Sequence, residues 1–236
     1  MRRRLMDQRV LLTSFKYSVP VMAGYLFLGM SLGVFLDSYG YNWIWSLAMS
    51  VFIYAGSMQF VAVYLLANQA PLLEVALIAI VINARQLVYG ISMLSYFHHF
   101  GWQKPYQMLS LTDETFSLLC HIKIENLELR KKVFLGVSLL NQMYWVLGCV
   151  LGSLFGNLIP AKGIEFMMTA LFIVIFIDRW EKESDHTSSI TGIVISLLAL
   201  VILGKENFIM PTIVMLIIFL LLMKPKLESS SRSSGD

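Results

Sequence analysis

Charged residues are scarce in this chain of 236 residues, of which only 14% are Asp, Glu, Lys or Arg, while 57% are hydrophobic. A soluble globular domain carries about a quarter charged residues, because its surface faces water. The mean hydropathy of +0.70 therefore predicts that much of this protein's surface faces the lipid of a membrane. The net charge of +3 gives no reason to expect a nucleic-acid partner, because cytoplasmic loops of membrane proteins are enriched in Lys and Arg.

Cysteine and the common catalytic motifs are also scarce or missing. The only cysteines are Cys120 and Cys149, so a disulfide framework is excluded, and both are expected to be buried thiols because their surroundings are apolar. The chain has no Gly-x-Ser-x-Gly elbow, no His-Glu-x-x-His, no P-loop and no dinucleotide fingerprint. We therefore predict that the protein is not an enzyme and that it has no cofactor and no metal site.

Eight segments approach the roughly 20 apolar residues that a transmembrane helix needs. They are 14–36, 42–67, 71–97, 105–122, 133–158, 163–177, 187–204 and 208–223. The sequence thus predicts an all-α integral membrane protein with about eight transmembrane helices, some of them interrupted by polar or small residues. We expect one transmembrane domain over residues 1–228, followed by a disordered polar tail over 229–236, where serine is abundant.

The distribution of basic residues predicts the topology. With eight spans and a cytoplasmic N-terminus, fourteen of the eighteen Lys and Arg lie on the cytoplasmic side, and only Lys104, Lys162 and Lys205 lie outside. If segment 105–122 did not cross, seven would lie inside and ten outside. The positive-inside rule favours the first arrangement, with both termini cytoplasmic.

Two pairs of glycines recur at a spacing of four. Gly29 and Gly33 lie in the first span, and Gly148 and Gly152 lie in the fifth. Small residues at this spacing let two helices approach closely, so helix packing is the preferred interpretation. The repetition of the glycine pair in the first and fifth spans also leaves open an architecture of two related halves, which is common among transporters.

Residues 54–60 form the first of three polar stretches inside apolar segments. Gly56 and Ser57 are small enough for backbone to approach a ligand, and Gly56 weakens a helix by about 1 kcal/mol relative to Ala, which suits a broken span. Tyr54, Gly56, Ser57 and Gln59 are therefore candidate substrate-binding residues. The alternative is a close helix crossing, with Gln59 bonded to a neighbour.

The second stretch, residues 83–89, places Arg85 near the middle of the third span. A guanidinium group keeps its charge, and an unpaired Arg at a helix centre costs about 2.5–3.5 kcal/mol, so Arg85 must meet a carboxylate, carbonyl groups or water. Tyr89 lies one turn further on the same face, and Asn83 lies on an adjoining stripe. All three are candidate substrate-binding residues, and a purely structural ion pair at Arg85 is the alternative.

The third stretch places Asp113 and Glu114 in the middle of segment 105–122. Neighbours in a helix point about 100° apart, so one acid can pair with Arg85 while the other faces a cavity. A carboxyl group that loses part of its hydration is easier to protonate, which makes one of the two a candidate proton carrier. The alternative is a re-entrant or interfacial helix with solvated acids. Asn141 and Gln142 of the fifth span could line the same cavity, although bonding between helices is the preferred interpretation.

Together these stretches resemble, in order and spacing, the AzlC family of branched-chain amino-acid exporters. The first span resembles that family's first helix as well, and the similarity covers most of the chain. The motifs that carry it are Tyr54-Ala55-Gly56-x-x-Gln59-Phe60, Asn83-x-Arg85-x-x-x-Tyr89, Thr112-Asp113-Glu114-x-Phe116 and Pro20-x-x-x-Gly24-Tyr25-x-x-x-Gly29.

The resemblance implies a permease in a bacterial cytoplasmic membrane that works with a small, multi-pass, AzlD-like membrane subunit. It also implies export of leucine, isoleucine and valine, driven by an ion gradient. In such a site Arg85 or the backbone near Gly56 would meet the carboxylate of the amino acid, and Asp113 or Glu114 would meet its ammonium group. Two other functions stay open, a channel or carrier for another small solute and a membrane scaffold subunit that translocates nothing.

Overall fold

The computed structural model describes residues 2–98, 100–156 and 186–207, together with isolated residues between 169 and 181 and at 212 and 215. They fall into two compact units, Met1–Thr169 and Ala170–Asp236, and the first unit contains all of the candidate site residues. Segments 163–177 and 208–223 and the polar tail 229–236 lie largely or wholly outside the described residues, so the number of spans stays a prediction.

All regular secondary structure in the described ranges is helical. In chain order the first unit contains α1 (Arg2–Ser38), α2 (Trp43–Phe52), α3 (Gly56–Ala67), α4 (Leu72–Met93), a short 3-10 helix (Gly101–Gln103), α5 (Lys104–Leu109), α6 (Asp113–His121) and α7 (Leu127–Phe155), and the second contains α8 (Thr187–Asn207). Within the described residues, three helical stretches are long and apolar enough to cross a membrane, namely Gln8–Ser38, Leu72–Met93 and Leu127–Phe155. The prediction of an all-α membrane protein is confirmed.

The second and fourth predicted spans are each interrupted in the middle. Between α2 and α3 the chain leaves the helix at Ile53, and Tyr54 takes a φ of +42°, a left-handed conformation that costs a non-glycine residue energy. Between α5 and α6 the helix stops at Ser110, and Thr112 restarts it by accepting a hydrogen bond from the Thr115 N–H group. Both interruptions create a new helix N-terminus inside an apolar segment.

Helices α1 and α7 cross at the paired glycines. A Cβ atom added to Gly29 would lie 2.9 Å from the carbonyl oxygen of Trp145, and one added to Gly148 would lie 2.8 Å from the carbonyl oxygen of Leu26. Since the backbones touch directly, no side chain fits between them, which is the close approach that small-xxx-small spacing permits. The interrupted helices pack against the two helices of this crossing.

Large apolar side chains cover much of the outside of the first unit, as expected of a surface in contact with lipid. Examples are Phe52, Leu72, Leu87 and Ile91, which are 86%, 87%, 69% and 73% exposed. Burial of both thiols was predicted, and Cys149 is buried, but the prediction is wrong for Cys120. Apolar neighbours in sequence do not imply burial here, because the outer face of a membrane helix is itself apolar.

Candidate functional site

Arg85 connects the starts of the two interrupted helices. Its Nη1 atom donates a hydrogen bond to Asp113 Oδ2 at 2.5 Å, and its Nη2 atom donates to Ser57 Oγ at 2.7 Å. Ser57 lies in the first turn of α3 and Asp113 is the first residue of α6. The side chains of Arg85 and Asp113 are 31% and 29% exposed, so the ion pair is partly shielded and still accessible. The structure thus brings three predicted site residues from three helices together.

The position of the two acids explains how an otherwise apolar segment accommodates them. The sequence pattern placed Asp113 and Glu114 in the middle of segment 105–122, and in the structure both lie in the first turn of α6, directly after its cap Thr112. The N-terminus of a helix carries a partial positive charge and free N–H groups, so negative side chains stabilise it by about 0.3–1 kcal/mol each. The interruption of the span is therefore what makes room for adjacent carboxylates.

Glu114 has a different set of partners from Asp113. The Tyr25 hydroxyl of α1 donates a hydrogen bond to Glu114 Oε2 at 2.8 Å and also lies 2.5 Å from Thr112 Oγ1. Tyr25 is only 4% exposed. Sequence reasoning gave Tyr25 no role in the site, although it belongs to the first-span motif, and its polar hydroxyl in an apolar span was the available signal.

The first turn of α3 packs against Trp145 of α7. The indole Nε1 of Trp145 donates a hydrogen bond to Gln59 Oε1 at 2.9 Å, and a Cβ atom added to Gly56 would lie 3.1 Å from the indole ring. Gly56 is thus small because the ring occupies the space of a side chain. Gln59, which is fully buried, bonds to a neighbouring helix, and Tyr54 is buried at the interruption itself.

The remaining members of the second stretch lie at different distances from the cluster. The ring of Tyr89 stacks on Phe116 of α6, with centroids 4.5 Å apart and planes 12° from parallel. This contact fixes α6 against α4 one turn from Arg85. Asn83 is half-buried, and within the described part of the chain it is not joined to the cluster by a side-chain hydrogen bond.

Residues 20–159 match the family model described as AzlC protein. The chain belongs to the AzlC family. The matched range contains every candidate site residue, together with Tyr25, Thr112 and Trp145.

Relatives over most of the chain support this membership. A membrane protein of Haemophilus influenzae named as uncharacterized is 42% identical, covering 93% of this chain and 91% of that protein. The branched-chain amino acid transport protein AzlC of Bacillus subtilis is 38% identical, covering 94% of this chain and 88% of that protein. The inner membrane protein YgaZ of Escherichia coli is 27% identical over 71% of this chain and 72% of its own length. No solved structure shows a significant match.

In this AzlC-family chain the polar residues of the fifth span bond to other helices. Asn141 Nδ2 donates to Thr115 Oγ1 of α6 at 3.0 Å. Gln142 accepts a hydrogen bond from the Tyr106 hydroxyl at 2.7 Å and donates to the Val51 carbonyl at 3.1 Å. That carbonyl is in the last turn of α2, where backbone acceptors lose their helical partners. Gln142 therefore supplies a hydrogen-bond donor to a backbone carbonyl at the end of α2, where the span is interrupted.

The chemistry available at this AzlC-family site is recognition of charge. Among the described residues no group of three or more His, Cys, Asp and Glu is placed to hold a metal ion. One guanidinium group, one carboxylate bonded to it and a second carboxylate bonded to a tyrosine can bind a solute that carries both charges.

Proposed function

We propose that this protein transports branched-chain amino acids, and that it exports leucine, isoleucine and valine in exchange for protons. The Bacillus subtilis relative, named as a branched-chain amino acid transport protein and 38% identical over 94% of this chain, supports the substrate class. The absence of catalytic motifs from the sequence agrees with a carrier. Charged residues at the starts of interrupted helices are typical of the substrate sites of membrane transporters.

The observation that carries the proposal is the position of Arg85 between the starts of α3 and α6. Ala55, the residue that caps α3, makes no side-chain capping bond, so the cap residue leaves the first N–H groups of α3 without a side-chain acceptor, and such groups attract anions. The carboxylate of an amino acid placed beside Ser57 would meet these N–H groups and the Arg85 guanidinium. Both attract negative charge, and the site is partly removed from water, which strengthens the interaction.

A zwitterion fits this cluster without leaving a charge unpaired. In the structure the carboxylate of Asp113 already forms an ion pair with the guanidinium group of Arg85. An incoming carboxylate would compete for Arg85, and the ammonium group of the same molecule would then compensate Asp113. Because the solute adds one positive and one negative charge, the cluster keeps its total charge, which limits the energetic cost of binding inside the membrane. The stacked rings of Tyr89 and Phe116 offer an adjoining apolar surface for the side chain.

Direction, coupling and assembly are parts of the same proposal. The resemblance supports export, proton coupling, an AzlD-like small subunit and a bacterial cytoplasmic membrane. The charge distribution supports a cytoplasmic location of both termini. An AzlD-like subunit co-purified with the chain from detergent would support the assembly. Full export by the chain alone would exclude the need for this partner.

Flux of labelled leucine measures the proposed activity. Vesicles that contain the protein together with its AzlD-like subunit are given an imposed proton gradient, and competition by isoleucine, valine and lysine is compared. We expect the gradient to drive leucine movement, which isoleucine and valine inhibit and lysine does not. Movement of another small solute instead of leucine would favour the second candidate, a different carrier on this scaffold. Vesicles that move no solute would favour a scaffold subunit.

A further inference from the structure

Asp113 and Glu114 are neighbours in sequence but have different partners. Asp113 forms an ion pair with Arg85, whereas the hydrogen bond of Glu114 comes from the neutral Tyr25 hydroxyl. Protonation of Asp113 would break an ion pair, and protonation of Glu114 would not. Glu114 is also exposed in the part of the chain that the structure describes.

A continuous series of hydrogen-bonding groups leads from Glu114 into the interior. Tyr25 OH lies 2.8 Å from Glu114 Oε2 and 2.5 Å from Thr112 Oγ1. Thr112 Oγ1 lies 3.0 Å from Thr115 Oγ1, which lies 3.0 Å from Asn141 Nδ2. We call these five residues the Glu114 chain. They come from α1, α6 and α7, and Thr115 and Asn141 are fully buried.

The number of protons in the Glu114 chain permits two complete arrangements. Each of the three hydroxyl groups has one proton to donate. With Glu114 ionised, Tyr25 donates to Glu114 and Thr112 donates to Tyr25, so the Thr115 hydroxyl must turn to donate to Thr112, the reverse of the Thr112-to-Thr115 direction in the structure. With Glu114 protonated, every one of these bonds reverses, so that Glu114 donates to Tyr25 and the series runs inward. In both arrangements Thr112 Oγ1 still accepts the Thr115 N–H group at 3.2 Å.

Asn141 can complete either arrangement at the buried end. Its Nδ2 group donates to Thr115 when the series runs toward Glu114. When the series runs inward, Thr115 needs an acceptor, and Asn141 Oδ1 is buried with no hydrogen-bond partner among the described residues. Rotation of the amide by half a turn exchanges Nδ2 for Oδ1. An amide with both a donor and an acceptor is therefore suited to this position.

We propose that Glu114 is the group that binds and releases the transported proton, and that Tyr25 is the positioning residue that couples this proton to α1 and α7 through reversal of the Glu114 chain. The transport part rests on the proposed function, whereas protonation of Glu114 does not. Among the described residues, the other titratable groups around Glu114 are Tyr54 at the interruption between α2 and α3, and Asp113 with Arg85 of α4.

Infrared difference spectroscopy of the purified protein between low and high pH tests the proposal without any solute. Replacement Glu114→Gln identifies the carboxyl band, and Asp113→Asn should leave it in place. In Tyr25→Phe the ionised carboxylate loses a hydrogen bond, and bonds to charged acceptors are the stronger ones. We therefore expect the pH midpoint of the band to rise by about one unit, a roughly tenfold change in proton affinity.

Two further variants separate the Glu114 chain from general effects on folding. Thr115→Val keeps the shape of the side chain and interrupts the series at its third hydroxyl, so a smaller shift in the same direction is expected, because the remaining bonds are less polarised. Tyr144→Phe is the matched control, since it removes a buried α7 hydroxyl that lies 3.2 Å from Ser18 and is not part of the series. It should leave the midpoint unchanged.

The two proposals fail separately. A midpoint that is the same in Tyr25→Phe and Tyr144→Phe, or a band that disappears in Asp113→Asn and persists in Glu114→Gln, would overturn the role of Glu114 and Tyr25. If the band shifts as expected while vesicles move no leucine, the Glu114 chain stands and the transport proposal fails. If leucine moves, its flux in Tyr25→Phe should show the same displacement of the pH profile as the infrared band.

Discussion

Removal of the Arg85 guanidinium tests the centre of the site. Two unit charges ~4 Å apart at an effective dielectric constant of about 20 attract each other by about 4 kcal/mol. The side chains are 31% and 29% exposed, so the net coupling should lie between the roughly 1 kcal/mol of surface pairs and the roughly 3–5 kcal/mol lost on breaking buried ones. We expect about 1–3 kcal/mol of coupling between Arg85 and Asp113.

A double-mutant cycle measures this coupling. Thermal unfolding in detergent is compared for Arg85→Ala, Asp113→Asn and the double variant, with Arg9→Ala as a control because Arg9 is an exposed arginine of α1. Leucine flux is measured in parallel. If carboxylate binding loses about 3 kcal/mol, the apparent affinity for leucine should fall on the order of 100-fold in Arg85→Ala. A coupling near zero together with normal flux would show that Arg85 is neither a structural nor a binding residue.

Lysine at position 85 distinguishes charge from geometry. The guanidinium group bonds Asp113 and Ser57 through different nitrogen atoms, and a single ammonium group on a flexible stem reproduces that fork poorly. Arg85→Lys should therefore restore most of the stability lost in Arg85→Ala but only part of the leucine affinity. Equal recovery of both would refute the role assigned to the bridge between the two helix starts.

Two further predictions concern the framework and the topology. Gly29→Ala should lower the free energy of unfolding by about 1–3 kcal/mol through overpacking at the α1–α7 crossing. Gly24→Ala on the same helix, with nothing within 4 Å of the added Cβ, is the control and should be neutral or slightly stabilising. Equal thermal unfolding midpoints for the two variants would contradict the crossing. In a background that lacks the exposed thiol of Cys120, a cysteine at Lys104 should react with a membrane-impermeant reagent added outside and one at Lys131 should not, and equal labelling would contradict the eight-span topology.

Much of the architecture could be predicted from the sequence because polar and charged residues are rare inside the membrane-spanning segments of a protein. A charge inside an apolar segment is costly, so the few that occur, such as Arg85, Asp113 and Glu114, identify themselves as candidate site residues. The glycine pairs predicted helix packing for the same reason, since close approach is the main use of small residues in membrane helices. The eight spans and the orientation of the termini stay predictions.

The interruptions were less predictable than the segments that contain them. Gly56 suggested a broken second span. The chain leaves the helical conformation at Tyr54, and the helix restarts at Gly56, where the Trp145 ring lies beside the glycine. In the fourth span the sequence pattern suggested two acids on different faces of one helix. Their common place in the first turn of α6 depends on the Thr112 cap, which only the local backbone conformation reveals.

The sequence by itself determined that the chain is a helical membrane protein, which stretches carry polar groups, and the family that it resembles, because hydropathy and motif spacing are properties of the chain alone. Tertiary structure decided which acid pairs with Arg85 and which one bonds to Tyr25. Arg85 and Asp113 are 28 residues apart in sequence, and Tyr25 and Glu114 are 89 apart. Helical periodicity predicts the face on which a residue lies, but its partner depends on how the interrupted helices pack against α1, α4 and α7.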